Sequence, residues 1–252
     1  MDTQQVNQNV KTFYQLHHQS KPLILANVWN ARSAQIVEAS GFEAMATSSG
    51  AIADSLGYKD GEHIPFPELL YIIKRIKAVT SIPLSIDLER GYTNDVSLLN
   101  EHIQTLIDIG VAGINIEDAQ GVEVYLKKLN SITAYLKNTG QQLFINARTD
   151  VFIQKLPSPV ETVIERVKFY REAGADGLFV AGVSDAEAIS KIVSSTDLPV
   201  NVVSTPAISV KTLQDCGVRR ISMAVFLYRS TYNNMEKTAK EVLHKKSFEA
   251  MF

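Results

Sequence analysis

The strings PLSIDLERGY at 83–92, GINIED at 113–118 and LFINARTD at 143–150 decide how this chain folds. Each is a short apolar run of β-strand character that ends abruptly in charged residues, the pattern of a buried strand whose tip reaches a polar place. Five more runs complete the series: PLILANVW at 22–29, FEAMATS at 42–48, GLFVAG at 177–182, PVNVVS at 199–204 and RRISMA at 219–224. Between them lie stretches with helical periodicity, among them FPELLYIIKRIKAVT, VSLLNEHIQTLIDIG and PVETVIERVKFYREAGAD. Strand starts fall roughly 20 to 40 residues apart, one βα unit each, with an enlarged connection after the second run. Eight such units predict an α/β fold, a (β/α)8 TIM barrel, as a single domain over 1–252; a doubly wound open sheet is the alternative. Segment 3–18 reads as an extra N-terminal helix capping the barrel bottom, and 230–246 as a final helix.

Composition agrees with a large buried core. Of 252 residues, 45% are apolar and 21% charged, and 25 Lys+Arg against 27 Asp+Glu leave a net charge of −2. General disorder is excluded by this balance. No basic run supplies the footprint of a nucleic-acid binder, so no nucleic acid is expected as a partner. No apolar stretch reaches the roughly 18 residues that span a bilayer, so no membrane association is expected either. The first residues lack a signal-peptide pattern, and the single Cys216 fits a reducing compartment; the cytoplasm is the default location.

In a barrel the chemistry sits at the carboxyl ends of the strands. The third run ends in Asp87-Leu88-Glu89, and a two-residue period places both carboxylates on one face. The fourth ends in Glu117-Asp118. Asp87, Glu89 and the carboxylates of the fourth strand are therefore expected to offer hard oxygen ligands to a divalent cation, Mg²⁺ fitting best and Mn²⁺ being the substitute. An acidic rim paired to Arg and Lys is the alternative. In the fifth run Asn146, Arg148 and Asp150 share a face, which places Arg148 to grip a carboxylate or phosphoryl group, or to pair with Glu117, or both. The second run ends in Ser48-Ser49-Gly50, small residues that let backbone amides approach an anion. The polar stretch LGYKDGEH at 56–63 reads as a loop over the site or as an ordinary surface loop. Trp29 at the first strand end reads as mouth lining or as core.

Several chemistries are excluded. The sixth run has no Lys for a Schiff base. The seventh and eighth lack the Gly-rich turns of the common phosphate site. The five histidines form no HxH or HExxH zinc pattern. Cys216 falls before the eighth strand, at the barrel bottom, and reads as packing.

From LANVWNARSAQIVEASGFEAMATSS through SLGYKDGE, PLSIDLERGY, GVAGINIEDA, FINARTD, REAGADGLFV and PVNVV to GVRRIS, the chain resembles the isocitrate lyase and phosphoenolpyruvate mutase superfamily along nearly its whole length. The resemblance implies a barrel enzyme acting on small 2-oxo acids or enol phosphates, with Mg²⁺ stabilising an enolate-like oxygen. By motif, Asp87 resembles the direct metal ligand, and Glu89, Glu117 and Asp60 resemble groups that hold metal-bound waters. Ser48, Ser49 and Gly50 resemble the segment whose amides hold the substrate carboxylate, and Arg148 resembles the arginine that grips substrate. Arg148, Glu117 and Asp60 are thus the expected catalytic set, and Trp29 and Asn201 are added to the expected substrate contacts. The family's habit of swapping its last helix between subunits implies the same for 225–246, in a dimer or tetramer.

Two departures bear on the reaction. The lyases carry a Lys-Lys-Cys-Gly-His motif after strand four, where this chain reads AQGVEVY at 119–125 with no Cys. The mutase's longer gating loop, with its Lys and Asn, is missing too. The expectation is a Mg²⁺-dependent enzyme cleaving or forming a bond beside the carbonyl of a 2-oxo acid such as oxaloacetate. Tyr58, His63, Tyr92 or metal-bound water are the proton sources. A phosphoenolpyruvate or phosphonopyruvate mutase, or a phosphonopyruvate hydrolase, is the alternative reaction; a non-catalytic 2-oxo acid binder is the alternative class.

Overall fold

A computed structural model of the chain describes residues 3–252, with side chains from residue 8 onward; Met1 and Asp2 of the expected 1–252 unit lie outside the described residues. Eight strands are found among the described residues: β1 (Leu23–Val28), β2 (Met45–Thr47), β3 (Leu84–Asp87), β4 (Gly113–Glu117), β5 (Phe144–Thr149), β6 (Gly177–Val180), β7 (Val200–Val203) and β8 (Arg220–Ser222). They pair in parallel and in chain order, and β8 returns to β1, so the sheet is a closed barrel and not an open doubly wound one. The crossovers are α2 (Ala31–Ala39), α3 (Ser49–Ser55) with α4 (Phe66–Lys77), α5 (Val96–Asp108), α6 (Val122–Thr139), α7 (Pro159–Glu172), α8 (Ala186–Ser194) and α9 (Val210–Asp215). The enlarged connection after β2 is thus two helices joined by an irregular segment at 56–65.

The N-terminal helix α1 (Thr3–His17) closes the bottom of the barrel: Phe13 is fully buried with Leu23, Leu25, Ala46 and Phe144 in a cluster separate from the main core. Main-core residues such as Ile86, Ile114 and Ile116 lie between sheet and helices. The last helix, α10 (Phe226–Lys245), starts four residues before the expected 230, because Val225 and Phe226 turn directly out of the β8 end.

Strand parity produces an unusual interior. Barrel centres are generally filled by bulky branched side chains. Here Asn115, Asn146, Asn201, Ser222 and Arg220 occupy the middle of the barrel, and Arg220 is 0% exposed. Beneath them Gly113 faces the bottom cluster, where an added Cβ would stand 2.9 Å from both the Phe13 ring and the Phe144 carbonyl oxygen. Gly113→Ala is expected to cost about 1–3 kcal/mol by overpacking against a backbone atom that cannot move aside. Chemical denaturation of the two proteins would check this.

Candidate active site

The strand ends of the barrel mouth surround a cavity of about 710 Å³. β3 and β4 run in register, Asp87 opposite Asn115, and β4 and β5 likewise, Glu117 opposite Arg148, so their inward side chains meet at one level. The Arg148 guanidinium is the centre of this group. Its Nε and Nη2 donate to the two oxygens of Asp150 at 2.7 and 3.1 Å, and Nη1 lies 2.9 Å from Glu117 Oε2 and 3.9 Å from Asp87 Oδ1. The ring of Phe179 lies 5.7 Å away on its face. Burial works against the Arg148 charge, but Asp87, Glu117 and Asp150 more than offset it and hold the side chain protonated. Two of a guanidinium's five N–H donors are thus hydrogen-bonded, both to Asp150, while Nη1 is ion-paired with Glu117.

Asp87 is held from one side. Its amide donates to Thr47 Oγ1 at 2.9 Å, and its Oδ2 accepts from Ser49 Oγ at 2.9 Å. Its Oδ1 is buried with no hydrogen-bond partner. Glu89 and Glu117 flank it. Burial, with Asp87 and Asp60 nearby, pushes Glu89 up to about 7; burial pushes Glu117 up to about 8 in spite of Arg148. An unpartnered carboxylate oxygen beside carboxylates that resist ionisation is an arrangement that lacks positive charge. Among the described residues no three His, Cys, Asp or Glu side chains converge into a closed ligand cage. This all-oxygen set therefore fits a hard cation that keeps several of its own waters, as Mg²⁺ does.

Ser48 caps α3, its Oγ accepting from the Ala51 amide at 3.3 Å, and Ser49 and Gly50 follow in the first turn. Gly50 is needed for close approach: a Cβ there would lie 3.0 Å from Asp60 Oδ2. Asp60 itself is placed by its neighbour Glu62, which accepts from the backbone amides of Arg90 and Tyr92 at 2.9 and 2.7 Å and from Arg90 Nε at 3.1 Å. The segment after α3 is thus docked on the turn after β3, where Glu89, Gly91 and Tyr92 all have positive φ. Glu89 reaches the site through that left-handed turn and not by strand alternation, which ends at Asp87.

Six of the expected residues line the cavity: Ser48, Ser49, Gly50, Asp60, Asp87 and Arg148. Glu89 and Glu117 stand behind them. Three expectations are corrected. Asp118 is turned away from the mouth, its Oδ2 accepting from Thr149 (2.7 Å), Arg166 (2.6 Å) and Tyr170 (2.5 Å), because the residue after Glu117 faces the helix layer. Trp29 is outside the lining and packs edge-on against Tyr228, with ring centroids 5.2 Å apart. Asn201 lies below the cavity, its amide bonded to Asn146 and Ser222. Of the proton sources, His63 is exposed, and Tyr92 donates to Glu89 at 3.1 Å outside the lining. Tyr58 reaches the lining, but its hydroxyl donates to Glu68 at 2.9 Å. Asn115 is a lining residue that was missed, although its place two before Glu117 gives it the same inward parity.

Comparisons with known proteins agree with this geometry. The model of the phosphoenolpyruvate phosphomutase family matches residues 13–243. The 2-methylisocitrate lyase of Escherichia coli K12 is 25% identical over 92% of this chain and 82% of its own. The oxaloacetate decarboxylase of Pseudomonas fluorescens SBW25 is 27% identical over 93% of this chain and 86% of its own. A solved structure described as a phosphonomutase from Burkholderia cenocepacia J2315 superposes with a TM-score of 0.88 at 30% identity, covering 94% of this chain and 99% of that one. The two curated relatives are enzymes by name. The chain belongs to the phosphoenolpyruvate phosphomutase family and is an enzyme.

Proposed function

We propose that this enzyme uses Mg²⁺ to cleave the carbon–carbon bond beside the carbonyl of a small 2-oxo acid, with oxaloacetate the simplest substrate. The observation that carries the reading is the buried Oδ1 of Asp87, which accepts no hydrogen bond, in the cavity lining beside the charged Arg148. Asp87 would hold the ion, and Glu89, Glu117 and Asp60 its waters. Bound there, Mg²⁺ supplies Lewis acidity to the oxygen that gains charge as the bond breaks. Arg148 binds and orients the substrate acid; Glu117 and Asp150 keep its guanidinium in one plane. The amides of Ser49 and Gly50, in the first turn of α3 where backbone N–H groups lack helical partners, receive a second substrate oxygen. Ser49 Oγ fixes which oxygen of Asp87 is free. A thiol acid has no place in this scheme: Cys216 lies at the end of α9, its Sγ 3.5 Å from the Ala186 carbonyl oxygen, outside the cavity lining.

Cleavage of a phosphorus–carbon bond is the second reading, and the likeness to the Burkholderia phosphonomutase structure supports it. Incubation with Mg²⁺ and oxaloacetate, methylisocitrate, phosphonopyruvate or phosphoenolpyruvate separates the two, since phosphorus–carbon chemistry shows as interconversion of the latter pair or as inorganic phosphate released from phosphonopyruvate. Pyruvate from oxaloacetate is expected, lowered at least about 100-fold by Asp87→Asn and abolished by EDTA. Turnover that survives chelation would overturn the metal reading.

The raised carboxyls give a pH signature. Groups whose folded pKa lies above the unfolded value bind more protons when folded, so they weaken the fold as pH rises through the folded pKa. Metal-free protein is expected to lose stability between about pH 5 and 8, and Glu117→Gln to flatten that decline. Thermal unfolding across this range, with and without Mg²⁺, measures it.

Self-association through α10 completes the proposal. Along and beyond this helix Met235 (60% exposed), Leu243 (69%), Phe248 (68%) and Met251 (61%) form an apolar series that an isolated chain leaves in water. Met235→Asp with Leu243→Asp is expected to shift sedimentation from a dimer or tetramer toward monomer.

A further inference from the structure

The buried polar layer beneath the cavity bears on what the site can recognise. Arg220 reaches from β8 to β4, where its Nη2 donates to Asn115 Oδ1 at 3.3 Å. Asn146 Nδ2 donates to the same oxygen at 2.9 Å. A guanidinium has no acceptor, so the atom of Asn115 that faces Arg220 must be its oxygen, and the amide cannot be turned over. Asn146 is fixed in turn, because its Nδ2 also donates to Asn201 Oδ1 at 3.1 Å, while Asn201 Nδ2 donates to Ser222 Oγ at 3.2 Å. The consequence falls on the other end of Asn115. Its Nδ2 makes no hydrogen bond within the described residues. Asn115 is 4% exposed, and the surface it does expose belongs to the cavity lining beside Asp87.

The geometry points to Asn115 as a substrate-contacting residue that offers one neutral N–H donor at the cavity floor, and to the buried Arg220 as the positioning residue that fixes this orientation. The acceptor is a carboxylate or carbonyl oxygen of the substrate adjoining the metal-binding end; a neutral amide serves it without adding positive charge that would repel a cation at Asp87. The inference rests on the 2-oxo acid reading above. It also gives a task to Arg220, whose fully buried guanidinium has Nε and Nη1 without hydrogen-bond partners, a costly feature in a barrel centre. A hydrogen bond to a charged acceptor is generally strong enough that its loss weakens binding about ten- to a hundred-fold.

Oxalate with Mg²⁺ is the probe, followed by isothermal titration. Asn115→Leu is expected to raise the oxalate dissociation constant about ten- to a hundred-fold while Mg²⁺ affinity without oxalate stays within about threefold. Arg220→Met is expected to weaken oxalate about tenfold in the wild-type background and to have no further effect when Asn115→Leu is already present. Arg220→Lys, which keeps a donor toward Asn115, is expected to bind oxalate within about threefold of wild type; if Arg220→Met does not fold, this variant and Asn115→Leu decide. Oxalate affinity unchanged in Asn115→Leu, or an Arg220→Met effect of equal size in both backgrounds, would overturn the inference while leaving the 2-oxo acid reading standing. A wild-type protein that binds Mg²⁺ but not oxalate would remove that reading itself, and this inference with it.

Discussion

The charge of Arg148 is the constraint on which the mouth of this barrel depends. Without it, Asp87, Glu117 and Asp150 would stand together in a poorly solvated site with only the fields of Arg220 at Asp87 and of Lys128 at Glu117 to offset their repulsion. With it, each carboxylate has a reason to be where it is: Asp150 takes both oxygens to Nε and Nη2, Glu117 takes Nη1, and Asp87 lies just beyond at 3.9 Å. The cluster remains short of positive charge, since Glu89 and Glu117 are both pushed up, Glu117 in spite of Arg148. That deficit is what makes the site a place for a cation. Losing one partner of a buried ion pair generally costs about 3–5 kcal/mol, so the cluster couples the stability of β3, β4 and β5 to the chemistry at their ends.

Much of this was legible in the sequence, because strand parity is a simple rule and the runs at 83–92, 113–118 and 143–150 obey it. Apolar residues facing the helices alternate with Asp87, Asn115, Glu117, Asn146 and Arg148 facing the axis. The rule fails where β3 stops: Glu89 comes to the site through a left-handed turn held by Glu62. At the end of β4 it still holds, and Asp118, one residue after the inward Glu117, pairs with Arg166 and Tyr170 in the helix layer, so adjacent carboxylates have unrelated tasks.

Arg219 and Arg220 show the same limit. In the string RRIS the two arginines look alike, yet Arg219 is exposed and donates to the Gln19 carbonyl oxygen, while Arg220 lies across the barrel axis with its guanidinium 5.8 Å from the Phe13 ring centre. β8 has three residues, too few for periodicity to fix its register. Register with β1 and β7, and the presence of α1 as a floor, decide which arginine is enclosed. Asn201 was misplaced for the same reason: its inward parity is real, but its depth is set by β6 and β8.

The polar layer also explains how a barrel can support a charged mouth. An apolar centre would end at a sharp boundary with Asp87 and Arg148, and side chains just under them would offer no hydrogen bonds. Here three asparagines pass donors and acceptors inward from Ser222 to Asn115, so the Asn115 amide, which touches the cavity, is oriented by Asn146, which does not. Amides suit this task because they carry both a donor and an acceptor and no charge, and so can relay orientation without competing with the carboxylates for a cation. The cost is a guanidinium enclosed where few partners reach it. An apolar side chain in place of Arg220 would avoid that cost but would leave the Asn115 amide oxygen without its guanidinium partner.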